Sequence, residues 1–176
     1  MMKIQNQIQG AKNREAGALF EQMIDGACIA YAERGFAKID KTPEPMRIIK
    51  PLGNGQYVAC FAKSAQPDYK GVLKGGREVC FEAKYTSTER MEQKRVTQDQ
   101  TEALQEHAEF GALCFVVCGF PSGKCYRVPW GVWCGMKELY GRKYVTEEDL
   151  RAFAVRSDLK VWFLDRIGEA QSNGNG

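Results

Sequence analysis

The chain has 176 residues, the length of one domain, and 44% of them are hydrophobic, which is enough to fill a core. No apolar run reaches the ~18 residues of a membrane-spanning helix, and the N-terminus lacks the apolar stretch of a signal peptide. We therefore expect a single cytoplasmic domain over residues 1–176 with no membrane partner and a disordered tail at about 171–176.

The net charge of +3 is small but unevenly distributed. Residues 36–77 hold eight basic and three acidic side chains, so this segment is strongly positive. A phosphate backbone is attracted to such a patch. An ordinary solvated face is the alternative on charge alone.

The seven cysteines and the single histidine predict neither a metal site nor a disulfide. The number of cysteines is odd, no Cys-x-x-Cys motif occurs, and most lie in apolar runs such as LCFVVCGF. Cysteines of this kind in a reducing compartment are small buried hydrophobic residues. His107 is predicted on a polar helix without a partner histidine, and we assign it no chemistry.

Helical spacing of apolar residues predicts a first helix over about residues 13–34, with Asn13 as its N-cap. The polar residues before it are expected to fray. A strand over 36–41 follows. Residues 41–65 then contain two strand-like runs around the turn sequence PLGNG, and we interpret them as a projecting β-stalk. A floppy surface loop is the alternative.

Periodicity and turn residues predict the elements of the C-terminal half. These are a mobile loop at 85–95, a helix at 97–109, a buried central strand at 112–120, a strand at 125–128 that pairs back, a helix at 129–140 and a helix at 147–155. The aromatic stripe of the helix at 129–140 is typical of a core or of a dimer interface.

The stretch from Gln66 to Lys84, QPDYKGVLKGGREVCFEAK, carries the candidate chemistry. It predicts a tight hairpin, because the Gly-Gly pair supplies the positive φ angles that a short turn needs. Alternation along the second strand places Glu82 and Lys84 on one face, and Asp68 can reach them from the neighbouring strand. The opposite face carries Val79, Phe81 and Ala83, which suit a core.

Two carboxylates and one ammonium group on a sheet face can perform metal-assisted phosphodiester hydrolysis. Asp68 and Glu82 offer oxygen ligands for Mg²⁺ or Mn²⁺, which would polarise the phosphate and lower the pKa of a bound water. Lys84 would stabilise the developing negative charge or orient the water. An ordinary surface salt bridge is the alternative, since Glu-x-Lys is common on solvated strands.

Four segments occur in one order along residues 13–120: NREAGALFEQMID, AKIDKTPEPMRII, PDYKGV followed by FEAK, and QDQTEAL with GALCFVVCGF. Taken together, they resemble the RecU family of Holliday junction resolvases in the PD-(D/E)xK nuclease superfamily. The resemblance implies an α/β fold, in which a mixed central β-sheet flanked by helices forms a restriction-endonuclease-like core with a projecting β-stalk.

The resemblance also implies roles for individual residues. Asp68 and Glu82 correspond to the metal-binding carboxylates, Lys84 to the lysine that stabilises the transition state, and Gln100 to a glutamine at the metal site. The family usually has a threonine where this chain has Gln66. The residue that would act as the fourth ligand of the metal ion is therefore left open. The residues expected to contact DNA are Arg14, Lys41, Arg47, Lys50, Lys63, Lys70 and Lys74.

The function implied is a homodimeric endonuclease, dependent on Mg²⁺ or Mn²⁺, that resolves four-way junctions in double-stranded DNA by paired symmetric nicks. The stalk at 41–65 would enter the centre of the junction. Two alternatives remain. One is a nuclease of the same fold that acts on forks, flaps or linear DNA. The other is a non-catalytic junction-binding accessory protein of recombination.

Overall fold

A six-stranded mixed sheet with helices on both faces organises residues 2–43, 45–61, 66–165 and 167, which this computed structural model describes. The predicted tail at 171–176 lies outside these residues. The elements in chain order are α1 (Met2–Glu33), β1 (Ala37–Lys41), β2 (Met46–Gly53), β3 (Gln56–Phe61), β4 (Tyr69–Leu73), β5 (Glu78–Tyr85), β6 (Met91–Glu92), α2 (Gln98–Glu109), β7 (Leu113–Gly119), β8 (Cys125–Pro129), α3 (Trp130–Cys134), α4 (Met136–Tyr140), β9 (Tyr144–Val145) and β10 (Ala154–Val155), with 3₁₀ turns at Gln93–Arg95 and Arg151–Phe153.

The strand order of the main sheet is β1-β4-β5-β7-β8-β10. All neighbouring strands are antiparallel except β5 and β7, which run parallel. A parallel pair needs a crossover connection, and the segment from β6 through α2 provides it. The predicted α/β fold with a mixed central sheet is confirmed, as are the central hairpin and the buried strand β7.

Helix α1 is longer than the sequence predicted. It begins at Met2 rather than at Asn13, so Asn13 lies inside the helix and is not its N-cap. There its Oδ1 accepts a hydrogen bond of 3.0 Å from Nε2 of the Gln9 side chain, and such an i,i+4 pair stabilises a helix. The polar residues of this first part include good helix formers, and polarity alone was a poor reason to expect fraying. The helix ends before Gly35, whose φ is +62°.

An aromatic ladder fixes the register of the central strands on the α1 side of the sheet. Tyr69, Phe81 and Phe115 are direct cross-strand partners. Their rings stack with centroid separations of 4.8 and 4.9 Å, and Phe163 caps Phe81 at 4.7 Å. Because a slip of one residue would turn these rings to the other face, the ladder also determines where Asp68 and Glu82 lie.

Helices α2, α3 and α4 cover the other face of the sheet. The predicted helix at 129–140 is divided at Gly135 into α3 and α4, and its residues Trp130, Trp133 and Met136 are buried in the core. The predicted mobile loop at 85–95 is instead structured. Met91 is fully buried, and β6 pairs with β9 through Met91 and Val145.

The predicted helix at 147–155 was wrong. Only one helical turn forms, closed by the Asp149 carboxylate, which accepts hydrogen bonds from the Thr146 amide and hydroxyl. The chain then joins the sheet, where Ala154 and Val155 pair with β8. Pairing with an open sheet edge is a tertiary effect that local helical signals do not report.

Strands β2 and β3 form a separate antiparallel hairpin that corresponds to the stalk predicted at 41–65. Every residue of β2 is exposed, so the hairpin stands away from the core. Its turn is made by Asn54 and Gly55, both with positive φ. Among the helices of the described residues, none combines the length and the hydropathy that a membrane span requires.

Candidate active site

Backbone amides of the β4–β5 hairpin hold the Asp68 and Glu82 side chains near each other at the point where β4 begins. The Ala83 amide donates a hydrogen bond of 3.0 Å to Asp68 Oδ2. The Asp68 amide in turn donates one of 3.2 Å to Glu82 Oε1. The antiparallel pairing of β4 with β5 makes this exchange possible, so the hairpin itself positions both carboxylates.

Lys84 completes the cluster. Its Nζ lies 2.6 Å from Glu82 Oε2 and 3.1 Å from Asp68 Oδ2. The side chain of Glu82 has no exposure to solvent and that of Lys84 only 14%. The Asp68 side chain is 31% exposed, so the cluster is buried at Glu82 and opens to solvent at Asp68. It differs from an ordinary solvated ion pair, because desolvated polar groups persist only when they are well paired.

Gln100 reaches the cluster from the first turn of α2. Its Nε2 donates a hydrogen bond of 2.5 Å to Glu82 Oε2. Its Oε1 accepts one of 3.1 Å from the Thr97 amide, and Thr97 Oγ1 accepts one of 3.3 Å from the Gln100 amide. This capping box orients the glutamine. Binding a metal through the amide oxygen would require a rotation of the Gln100 side chain.

Sequence reasoning missed Thr97 as the residue that holds Gln100 in place. The signal was present, because Thr97-x-x-Gln100 at the start of a helix is the pattern of a capping box. The Gln66 side chain is exposed, and its Oε1 accepts a hydrogen bond of 3.1 Å from Lys70. In this arrangement it points to Lys70, and its part in metal binding stays a prediction.

The environment of the cluster changes the pKa of both Glu82 and Lys84. Burial raises the pKa of Glu82 to about 8, and the charge of Asp68 adds to this while Lys84 opposes it. Burial by itself would lower the pKa of Lys84, but the charges of Asp68 and Glu82 hold it above its ordinary value. Near neutral pH the protonated Glu82 leaves Asp68 and Lys84 as the charged pair, and a cation that displaces the Glu82 proton finds two carboxylates against one ammonium.

We expect the metal-free protein to lose stability as the pH rises through the raised pKa of Glu82. The folded state keeps a proton on Glu82 that the unfolded chain releases near pH 4.5. The stability that this proton binding contributes is therefore fully present below pH 4.5 and is lost as the pH rises towards about 8. The Tm of the wild type, measured in EDTA, should fall over this range more steeply than the Tm of Glu82→Gln. Equal slopes of Tm against pH in the two proteins would contradict a raised pKa of Glu82.

The basic residues predicted to contact DNA lie in different parts of the structure, and Lys74 follows the end of β4 that is opposite to Asp68. Lys41 is paired with Glu21 at 2.6 Å, a hydrogen bond that raises the pKa of Lys41. Lys70 is half-buried beside Gln66. The exposed members are Arg14, Lys41, Arg47, Lys50 and Lys74. Lys63 lies outside the described residues.

The chain matches the model of a known protein family. A family model described as RecU, Recombination protein U, matches residues 15–161. The chain belongs to the RecU family. The RecU match includes Asp68, Glu82, Lys84 and Gln100, and it extends past Phe120, where the resemblance seen in the sequence ended.

Individual relatives of this RecU family member match over part of their length. A protein of Streptococcus gordonii named Holliday junction resolvase RecU is 34% identical over 114 residues, which cover 61% of this chain and 56% of the relative. One of the same name from Geobacillus kaustophilus is 26% identical over 144 residues, covering 76% and 72%. The chain thus spans little more than half the length of the first of these relatives.

A solved structure also aligns with this RecU family member. It is Hjc, a Holliday junction resolvase from the archaeal hyperthermophile Archaeoglobus fulgidus. The alignment covers 76% of this chain and 91% of Hjc, with a TM-score of 0.45 and 17% sequence identity. The likeness is partial, and the family assignment does not depend on it.

Proposed function

We propose that this RecU family member is a metal-dependent endonuclease that resolves four-way DNA junctions by paired symmetric nicks. The observation that carries the proposal is the partly buried cluster of Asp68, Glu82 and Lys84 within a chain of this family. Its two carboxyl groups offer oxygen ligands that suit a hard divalent cation, and binding of the cation would release the proton of Glu82. The names of the relatives, Holliday junction resolvase RecU, support the choice of substrate.

In the proposed mechanism, Asp68 and Glu82 would hold Mg²⁺ or Mn²⁺ together with the Ala83 carbonyl, and Gln100 would join them after its side chain rotates. The chemistry supplied there would be polarisation of the scissile phosphate and activation of the attacking water. Lys84 neutralises the charge that develops on the phosphate, a role for which its two carboxylate partners hold the ammonium in place. Without the ion, Gln100 is oriented by Thr97 and keeps Glu82 in position.

We further propose that the protein acts as a homodimer on DNA in the cytoplasm, with residues 1–176 forming one nuclease domain. A two-fold dimer matches a junction with two equivalent strands to nick. The stalk, defined here as β2 and β3, would contact the junction through the exposed side chains of Arg47 and Lys50. Recognition would then depend on phosphates and branch shape more than on base sequence.

Neutralising the stalk should weaken junction binding without affecting the cluster. We expect Arg47→Gln/Lys50→Gln to lower the affinity for a four-way junction and to reduce the slope of log affinity against log salt by about 1–2, since each phosphate contact contributes about one. Binding titrations at several salt concentrations, with metal omitted, measure this. The matched control is Lys124→Gln/Lys137→Gln, which removes two exposed charges elsewhere. An equal loss of junction affinity in both double variants would contradict a specific role of the stalk.

The proposed function is tested with a synthetic four-way junction and a linear duplex of the same arm sequences, each with Mg²⁺ or with EDTA. Paired symmetric nicks in the junction alone, lost in EDTA, would support a resolvase. Equal cutting of the linear duplex would indicate a nuclease with another substrate. Binding of the junction without any cutting would overturn the enzymatic proposal in favour of a junction-binding accessory protein.

A further inference from the structure

A second polar cluster lies at the opposite end of β5, away from Asp68 and Glu82. It consists of Glu78 and Cys80 on β5 and His107 in the last turn of α2. One ligand atom from each lies within 4.8 Å of the other two. None of these residues takes part in the proposed nuclease chemistry, and the sequence offered no reason to connect them.

The distances in this cluster already approach those of a metal site. His107 Nδ1 lies 3.2 Å from Glu78 Oε1, and Cys80 Sγ lies 3.4 Å from the same oxygen. Bonds of ~2.0–2.3 Å from a tetrahedral zinc ion to nitrogen, oxygen and sulfur place the ligand atoms about 3.3–3.8 Å apart. Small side-chain movements would therefore bring all three ligand atoms into a coordination sphere.

A fourth candidate ligand stands beside the cluster. Cys114 on β7 is the direct partner of Cys80 in the parallel pair of β5 with β7. Both thiols are free and buried on the same face of the sheet. The Glu78 and His107 side chains are partly exposed, so an ion can enter from solvent on their side.

We propose that Glu78, Cys80 and His107, with Cys114 as the fourth ligand, bind a transition-metal ion of the Zn²⁺ class. Thiolate and imidazole ligands select zinc, cobalt and related ions over Mg²⁺, whereas the all-oxygen set at Asp68 and Glu82 has the opposite preference. The two sites are therefore chemically distinct. On binding, the thiols release their protons to the buffer, because the thiolate is the ligand.

The position of this site gives it a structural consequence. An ion there joins the last turn of α2 to β5 and β7. The first turn of the same helix carries Gln100, which donates to Glu82. Loading the site would hold α2 against the sheet and so stabilise the position of Gln100, in addition to raising the stability of the whole fold by mass action.

Cobalt provides the sharpest test, because Co²⁺ bound to thiolate shows a sulfur-to-cobalt charge-transfer absorption that oxygen ligands do not give. We would treat the full chain with a chelator, remove it and titrate with Co²⁺. The expected result is the charge-transfer band, saturating at one ion per chain and abolished by competing Zn²⁺. His107→Gln and Cys80→Ser should lower the affinity by at least about 10–100-fold, the loss caused by removing even an outer-shell partner.

Two controls separate this inference from the proposed nuclease function. Asp68→Asn should keep the band, since the oxygen site contributes no sulfur, and Cys134→Ser should keep it because this exposed cysteine lies outside the cluster. With the oxygen site disabled in both proteins, a given Zn²⁺ concentration should raise the Tm of Asp68→Asn by more than that of Asp68→Asn/His107→Gln. Absence of the band in the wild type, or a band unchanged in His107→Gln, would overturn the proposal and leave Glu78 and His107 as an ordinary ion pair. His107 is partly exposed, so this variant is the one expected to fold normally should Cys80→Ser fail to do so.

Discussion

Replacing Asp68 by asparagine should abolish metal-dependent nicking of a four-way junction while leaving the metal-free fold at least as stable as the wild type. The rate should fall by at least about a thousandfold, the upper range for loss of one electrostatic group at a transition state. The substitution is well matched to the site, because Asp68 accepts the Ala83 and Lys84 hydrogen bonds through Oδ2. An asparagine can place its amide oxygen at the same point.

The stability part of this prediction follows from the charges. The negative charge of Asp68 contributes to the raised pKa of the buried Glu82, so removing it relieves repulsion between the two acids. Nicking rates with Mg²⁺ and Tm values in EDTA measure the two effects separately. The control is Asp99→Asn, an exposed acid in the first turn of α2 that should keep the wild-type rate. A Tm that falls together with the activity would show that Asp68 has a structural role instead.

Replacing Phe81 by alanine should destabilise the protein by about 3–5 kcal/mol, the cost of deleting a buried phenylalanine ring. Phe81 is fully buried and stacks between Tyr69 and Phe115 at 4.8 and 4.9 Å, so its loss opens a cavity at the centre of the ladder. For a chain of this size, each kcal/mol corresponds to about 2–4 °C in Tm. The Tm should therefore fall by roughly 10 °C or slightly more.

Phe110 provides the matched control for this variant, because 85% of its surface is exposed. Phe110→Ala should change the free energy of unfolding by no more than about 0.5 kcal/mol. Urea unfolding of both variants, with unchanged m-values, gives the comparison directly. If Phe81→Ala lowers the free energy of unfolding no more than Phe110→Ala does, the aromatic ladder is not the source of strand register and stability.

The proximity of Asp68, Glu82 and Lys84 could be predicted because it depends on local geometry. Fourteen residues separate Asp68 from Glu82, and a hairpin with a Gly-Gly turn brings them together whatever the rest of the chain does. The period of two along a strand then places Glu82 and Lys84 on one face. The same reasoning found β7, whose apolar run has the length of a buried strand.

Elements that depend on a partner far away in the chain were predicted poorly. Residues 147–155 carry helical signals, but β8 offers an open edge to Ala154 and Val155. Met91 is buried by pairing with Val145, which turns a charged, aperiodic segment into an ordered one. Local propensity is a small free-energy bias that packing and strand pairing readily exceed.

Residue types and their spacing were thus enough to place three charged residues on one hairpin, and the order of four segments carried the resemblance to the RecU family. Packing alone decided that Glu82 is removed from water, which raises its pKa, and that α2 turns Gln100 towards Glu82. Packing also brings His107 to Glu78 and Cys80. Burial, and contacts between side chains from distant segments, depend on how the helices pack against the sheet. That packing results from many weak, non-local contacts, which no short stretch of sequence specifies.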